Sequence, residues 1–292
     1  EANQKMQTLW TDMKSSEEQT PNKVIVPAFM SVCVIASLII LIRRYIKKKK
    51  DNSRLMLVGF GEDKEKLKNL VRFFLNVKRV SGWSLGTWLK NFRYNFFCEQ
   101  VKGNVLEGKY FIINKYCTIV LESKAQLILN APFYFGNKRI KGSRLDSRLL
   151  IESGGRMEIK YGSYNVAYGA DIEVFQNAIL EIGGELGANI GLTIICADHI
   201  SIGQHTGCGR NVTIRDNNGE HFISIRGYKT SSPVTIKEHV WLTESCTVMP
   251  GAVIEPGAII SARSVVSGHI PAFSIVKGDP AVVVEKNIVW KG

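Results

Sequence analysis

From residue 236 onward, hydrophobic positions recur every six residues. Ile236, Leu242, Val248, Ile254, Ile260 and Val266 are aliphatic, and Val240, Cys246, Ala252, Ala258 and Ser264, four places after successive starts, are small or β-branched. An earlier block keeps the same step through Ile190, Cys196, Ile202, Cys208 and Ile214, with Ile194, Ile200, Thr206 and Val212 at the offset positions. A period of six fits neither the 3.6 of an α-helix nor the plain alternation of a flat strand. It predicts flat coils of three short strands, about 18 residues per coil, stacked so that backbone N–H and C=O groups pair between coils. One aliphatic and one small side chain per strand then point to the axis. Gly203, Gly207, Gly209, Asn211, Gly251 and Gly257 mark the tight corners. The fold class is mainly β, a parallel β-helix. Weaker alternation in Leu149, Ile151, Met157, Ile159, Ile172, Val174, Leu180 and Ile182 carries the coils back to near residue 105.

The register breaks once in this region. From Ile214 to Ile236 the spacing is 22, four more than three hexads, so Asp216 to Pro233 leaves the stack as a polar loop that carries His221. Loops held on rigid scaffolds are common places for chemistry.

Ahead of the coils the pattern is helical and amphipathic over 55–100, with Leu67, Leu70, Val71, Phe74 and Leu75 among Lys and Arg. Residues 84–97 join Trp88, Phe92, Phe96 and Phe97 to Lys90 and Arg93, which suits either a bilayer interface or a helix packed on the first coils. Val24 to Ile42 is an apolar run of 19 residues without a charge. At 1.5 Å per residue it reaches about 28 Å, close to the hydrocarbon thickness of a bilayer. Three Lys and four acidic groups precede it, while Arg43, Arg44 and Lys47 to Lys50 follow. That order reverses a signal peptide and places the C-terminal side in the cytoplasm.

Charge sharpens the picture. The formal charge is +12, yet residues 43–109 alone hold 17 basic against six acidic groups, a surplus of +11. A basic stretch beside one apolar segment points to an anionic membrane surface. No helix-turn-helix, zinc-finger or ribonucleoprotein motif supports a nucleic-acid partner. The six cysteines form no CxxC or zinc-spaced pair and read as small buried hydrophobes in a reducing compartment. The expected organisation is an extracytoplasmic segment at 1–23, a single transmembrane helix at 24–42 and a basic helical juxtamembrane region at 43–100. A β-helix domain at 101–286 and a tail at 287–292 follow.

Four stretches carry a more specific signal: VTIRDNNGEH at 212–221, PVTIKEHVWL at 233–242, VMPGAVIEPGAIISARSVV at 248–266 and IPAFSIVKGDPAVVVE at 270–285. Over roughly residues 100 to 286 the chain resembles the hexapeptide-repeat acyltransferases, in the branch of sugar, capsule and xenobiotic acetyltransferases. The resemblance implies a left-handed β-helix, a homotrimer, and acetyl-CoA bound between adjacent prisms. It implies His221 as general base, on a loop one residue longer than the common Asp-x-Asp-x-His. By the same resemblance Asn211, Asp216 and Trp241 lie at the acceptor side. Backbone groups of Ser261 and Ala262 face the pantetheine arm, and Lys277 and Gly278 lie near the nucleotide end. Arg263 and Thr243 stand where relatives commonly have glycine.

His199, His205, His239 and His269 read as corner or surface residues. A zinc site of the γ-carbonic-anhydrase kind needs three converging histidines, and His199 and His205, one hexad apart, fall on successive faces, so no metal is assigned. The expected function is acetyl-CoA-dependent O-acetyl transfer to a sugar or glycan hydroxyl by direct attack. N-acetylation of an amino-sugar and a non-catalytic trimeric scaffold are the alternatives.

Overall fold

The structure is a computed structural model that describes residues 56–82, 84–185, 187–219, 224 and 226–291. The segment expected outside the membrane at 1–23, the apolar run at 24–42 and His221 lie outside the described residues. Among the described residues no helix is long and apolar enough to cross a membrane.

Strands β1 (Val101–Lys102) to β24 (Ala281–Lys286) wind through three sheets, every third strand returning to the same sheet until β23 (Ser274–Gly278). One face runs from β1 to β22 (His269–Ile270). The second runs from β2 (Phe111–Ile113) to β24, and the third from β3 (Cys117–Leu121) to β21 (Val265–Val266). All neighbours pair in parallel except β23 with β24. This is the expected coil stack. It begins at Val101, slightly earlier than the alternation near residue 105 indicates.

The hexad frame is realised most regularly at the C-terminal end. Thr235 pairs with Val253, Trp241 with Ile259 and Thr247 with Val265, each 18 residues on. Ile236, Leu242, Val248, Ile254, Ile260 and Val266 are buried, as are Val240, Cys246, Ala252, Ala258 and Ser264 at the small positions. Burying one such aliphatic side chain stabilises by about 1.5–3 kcal/mol.

The upstream coils are wider. Ile194 pairs with Ile214, 20 residues on, because β12 (Thr193–Cys196) spans four residues and turns both Ile194 and Cys196 inward. The six-step from Ile190 therefore drifts: Ile190 sits half-buried at a corner, and Leu192 takes the interior. Wider still, Phe133 of β5 (Phe133–Asn137) pairs with Tyr164 of β8 (Tyr164–Ala167), 31 residues on. There the interior is filled by stacked rings, Phe111 on Phe133 at 4.9 Å and Phe133 on Tyr164 at 5.4 Å.

The corners also differ from expectation. Several left-handed slots are held by non-glycine residues, among them His205, Asn211, His239, Ser245 and Arg263. Gly203 is needed for a different reason: a Cβ there would sit 2.4 Å from the backbone of Lys237 and Glu238 in the next coil. Gly207 is no corner at all but part of β14 (Gly207–Cys208).

Two helices close the N-terminal end: α1 (Met56–Ser81) and α2 (Leu85–Phe92), the latter running into a π-helical turn at Arg93–Phe97. Leu70, Phe73, Phe74 and Val77 of α1 and Trp88 of α2 bury against Tyr110 and Ile112. Strand β2 is thus covered on both sides, with Phe111 and Ile113 facing the axis and Ile112 facing the helices. An open β edge exposes unpaired backbone groups, and α2 supplies substitutes. The Asn91 side chain accepts from Ile113 N at 2.8 Å and donates to Ile113 O at 2.8 Å. Asn95, one turn on, repeats this with Phe111 at 2.8 and 2.7 Å. Lys90 Nζ and Tyr94 Oη donate to the Cys117 and Ile119 carbonyls.

Of the two placements open for residues 84–97, packing on the first coils accounts for the buried face. Leu75, Leu89 and Phe97 remain exposed on the outside, at 61%, 49% and 79%.

Candidate functional site

The polar excursion leaves the prism between β15 (Thr213–Arg215) on the third face and β16 (Val234–Ile236) on the first. Its base is a short antiparallel stalk. Asn217 bridges Ser231, Asn218 N donates to Thr230 O at 3.0 Å, and Ser232 N donates to Asp216 O at 2.8 Å.

Asp216 occupies the inward slot below Cys196 and is fully buried. Its carboxylate accepts from Ala197 N at 2.7 Å and Asp198 N at 2.8 Å. Asn217, 3% exposed, donates to Ile195 O. Buried and bonded in this way, Asp216 and Asn217 secure the loop's root to the coil above.

A cleft of about 570 Å³ lies on the second face. Outer positions along that sheet run Asn165, Gly187, Gly207 and Trp241 in register. Two successive glycines leave the floor without side chains, and Trp241, 44% exposed, forms the next rung. Along one rim, His205 Nδ1 lies 2.9 Å from Glu185 Oε2. His239 and Trp290 form the other wall.

The two histidines belong to one column of left-handed corner residues, in which His205 N donates to Gly184 O and His239 N donates to Gln204 O. Both histidines are corner residues by the sequence pattern, and Trp290 belongs to the tail at 287–292. Their convergence depends on the 20- and 34-residue coils that superpose positions 185, 205 and 239. No spacing of six announces it.

The remaining predicted site residues gather on another edge. Ser261 follows β20 (Ile259–Ile260) at the corner between the second and third faces, and its N–H donates to Val276 O at 2.9 Å. Ala262 beside it is exposed. Gly278 N donates to Ser264 Oγ at 3.1 Å, which brings the end of β23, with exposed Lys277, to the same corner. Asn211, left-handed and exposed, lies on this edge in the coils above. The structure therefore groups Asn211, Ser261, Ala262, Lys277 and Gly278, sets Trp241 on the adjoining face, and buries Asp216 at the edge opposite that face.

Four of the described cysteines are packing groups. Cys117, Cys196, Cys208 and Cys246 are buried and free, and burial pushes the Cys117 thiol up to about 11 and that of Cys246 up to about 12. None of these is a nucleophile near neutral pH. Among the described residues no three metal-ligating side chains converge.

Fold and site together define a hexapeptide-coil β-helix with a polar excursion in its C-terminal half and an aromatic- and imidazole-lined cleft. No family model matches the chain, but its curated relatives are O-acetyltransferases of the hexapeptide-repeat family. It is 28% identical over 140 residues to WbbJ of Escherichia coli (strain K12), named for O-acetyl transfer in lipopolysaccharide biosynthesis, a match covering 44% of this chain and 71% of WbbJ. It is 33% identical over 111 residues to the galactoside O-acetyltransferase of Lactococcus lactis, covering 37% of this chain and 53% of that enzyme. The chain thus matches about half the length of the galactoside enzyme. Among solved structures, the polySia-specific acetyltransferase NeuO superposes with a TM-score of 0.45 at 19% identity, covering 66% of this chain and 82% of NeuO.

Proposed function

We propose that the chain is an acetyl-CoA-dependent O-acetyltransferase acting on a hydroxyl of a sugar or glycan precursor, with His221 as general base. The observation that carries this is the break in the regular C-terminal hexads, where Asp216 and Asn217 root a polar loop between coils that are otherwise closed. The names of its relatives support the reaction class.

A sugar hydroxyl has a pKa far above neutrality, so its attack on a thioester needs a base that titrates near neutral pH. An imidazole meets that need and contributes about 10²–10⁴ in rate. The hydroxyl oxygen bonds to the thioester carbon while its proton passes to the imidazole. A backbone N–H stabilises the resulting oxyanion. The C–S bond then breaks, and the proton goes to the departing thiolate.

Trp241 offers a flat apolar face for a sugar ring. Donor contacts fall to Ser261, Ala262, Lys277 and Gly278, where an ammonium beside a phosphate forms a charge-assisted bond. The loop's root lies on the edge opposite the face that bears Trp241. This supports a homotrimer of left-handed prisms, in which the loop of one chain serves the cleft of its neighbour. The apolar run at 24–42 anchors the enzyme, with its catalytic part on the cytoplasmic side, and confines it with a lipid-linked acceptor.

A second reading rests on the His205–Glu185 pair: a carboxylate on Nδ1 leaves Nε2 free as a base in the cleft. Purified full-length chain, given radiolabelled acetyl-CoA and a panel of saccharides, tests both. His221→Ala is expected to keep CoA binding and lose at least a hundredfold in transfer, with His205→Ala retaining activity. The reverse pattern selects His205, and absence of CoA binding by the wild-type chain overturns the transferase assignment.

A further inference from the structure

A second hollow, of about 570 Å³, is lined by none of the residues assigned to transfer. It is framed by the loop between β5 and β6 (Ser147–Ile151), the turn after β2, and the C-terminal end of α1. Arg79, Lys115, Lys138, Arg139, Lys141 and Arg144 line it, and no carboxylate does. Among the described residues none of the six pairs with an Asp or Glu. Cations so gathered repel one another and focus a positive potential into the cavity they surround.

Arg139 shows that the hollow is built rather than incidental. Its guanidinium donates to the Ser143 carbonyl at 2.9 Å and the Leu145 carbonyl at 2.5 Å, folding the loop around itself. It lies 4.8 Å from the Tyr116 ring centroid and 5.4 Å from that of Tyr168. A guanidinium held by carbonyls and ring faces keeps its full charge and loses its freedom, the condition for pre-organised anion recognition. Its Nε–H is buried without a partner.

The hollow is also connected. Arg79, Asn137 and Lys138 line a neighbouring depression of about 490 Å³ that continues to Glu185 and Gly187, at the rim of the Trp241 cleft. From β5 to β17 (Trp241–Leu242) the path crosses four strand spacings, which at about 4.8 Å each is about 19 Å.

We propose that this cationic hollow binds the diphosphate that carries the acceptor saccharide, holding an extended acceptor along the second face so that a distal hydroxyl reaches the cleft. A diphosphate is favoured over carboxylates because it concentrates two or more charges in one cavity, whereas a carboxylated glycan spreads them along its length. That the hollow takes a diphosphate stands on these residues alone. That the diphosphate belongs to the acceptor rests on the transferase reading.

The test is calorimetric titration of the full-length chain in neutral detergent with inorganic pyrophosphate, compared with the triple substitution Lys138→Ala, Lys141→Ala, Arg144→Ala. These side chains are exposed and unpaired among the described residues, so the unfolding temperature should hold. Saturable binding that weakens at least tenfold in the triple variant, with CoA affinity unchanged, is the expected result. Equal pyrophosphate affinity in the two chains overturns the site, as does oligogalacturonate binding as tightly as pyrophosphate. A parallel loss of CoA affinity overturns the acceptor assignment and gives the hollow to the donor. Uridine diphosphate and polyprenyl diphosphate in phosphatidylcholine vesicles separate a soluble carrier from a lipid one. Pyrophosphate binding by a chain that transfers no acetyl group keeps the diphosphate site while removing the transferase reading.

Discussion

The indole of Trp290 lies flat on the imidazole of His239, ring centroids 3.9 Å apart and planes 9° apart. His239 Nε2 is 3.1 Å from the Trp290 carbonyl, and Trp290 Nε1 donates to the Gly257 carbonyl at 3.0 Å. The end of the chain is thereby pinned across successive coils and becomes a wall of the Trp241 cleft. Trp290→Ala should destabilise by about 2–4 kcal/mol, from one hydrogen bond and ring contacts with His239 and Trp241. It should also raise the acceptor KM more than it lowers kcat. Thermal unfolding and saccharide titration measure the two effects.

Asn91 satisfies both backbone groups of Ile113 at the open edge of the coil stack. Asn91→Leu keeps the volume and leaves that N–H and C=O buried without partners, at about 1–3 kcal/mol for each orphaned group. Urea denaturation should show a loss of at least 2 kcal/mol on this scale. Little change would mean that water replaces the amide there.

Asp216→Ala orphans the Ala197 and Asp198 N–H groups and is expected to lower stability by about 2–5 kcal/mol. Limited proteolysis gives a second readout: cleavage within 217–233 should accelerate before the coils unfold, because the root of the stalk is released while the ladders above and below remain.

Gly257 is left-handed, with φ +71°, and a Cβ there would lie 2.5 Å from the Phe273 ring. Gly257→Ala should cost at least about 1 kcal/mol from the backbone alone. Phe273→Ala in the same chain should recover the steric part. Purely additive effects in that double-mutant cycle would show that the ring yields freely.

The buried thiols set an alkaline limit. An ordinary cysteine titrates near pH 8.5, whereas burial holds Cys117 at about 11 and Cys246 at about 12. Above the unfolded value the unfolded chain releases protons that the folded chain retains, so their contribution to stability is present below pH ~8.5 and is lost as pH rises through the folded values. Among the described cysteines a thiol reagent at pH 7.5 should label Cys98 alone until the protein unfolds, which peptide mass mapping would read directly.

Much of this architecture is local and therefore legible in one dimension. The identity of positions 236 to 266 dictates 18-residue coils because each strand there contributes one aliphatic and one small inward residue, and no other stacking hides both. The loop at 216–233 follows from the same arithmetic, since extra residues cannot remain in a closed ladder. The wider upstream coils blurred the period: their longer strands turn two residues inward, and their interior takes stacked rings in place of aliphatic side chains. Asp216 was recognisable as a residue at the loop's root, but its burial was not, because only the coil above supplies the two N–H groups that make a buried carboxylate tolerable.

Periodicity alone specified what lies on the axis over 236–266, because burial there repeats with the backbone and each 18-residue coil solves the same packing problem. What meets on the outside was decided by the lengths of intervening coils and by segments distant in sequence. Hence Glu185, His205, His239 and Trp290 share a cleft, and six cations share a hollow. Surface neighbours across coils are set by how much chain each turn consumes, and that quantity exists only once the turns are stacked.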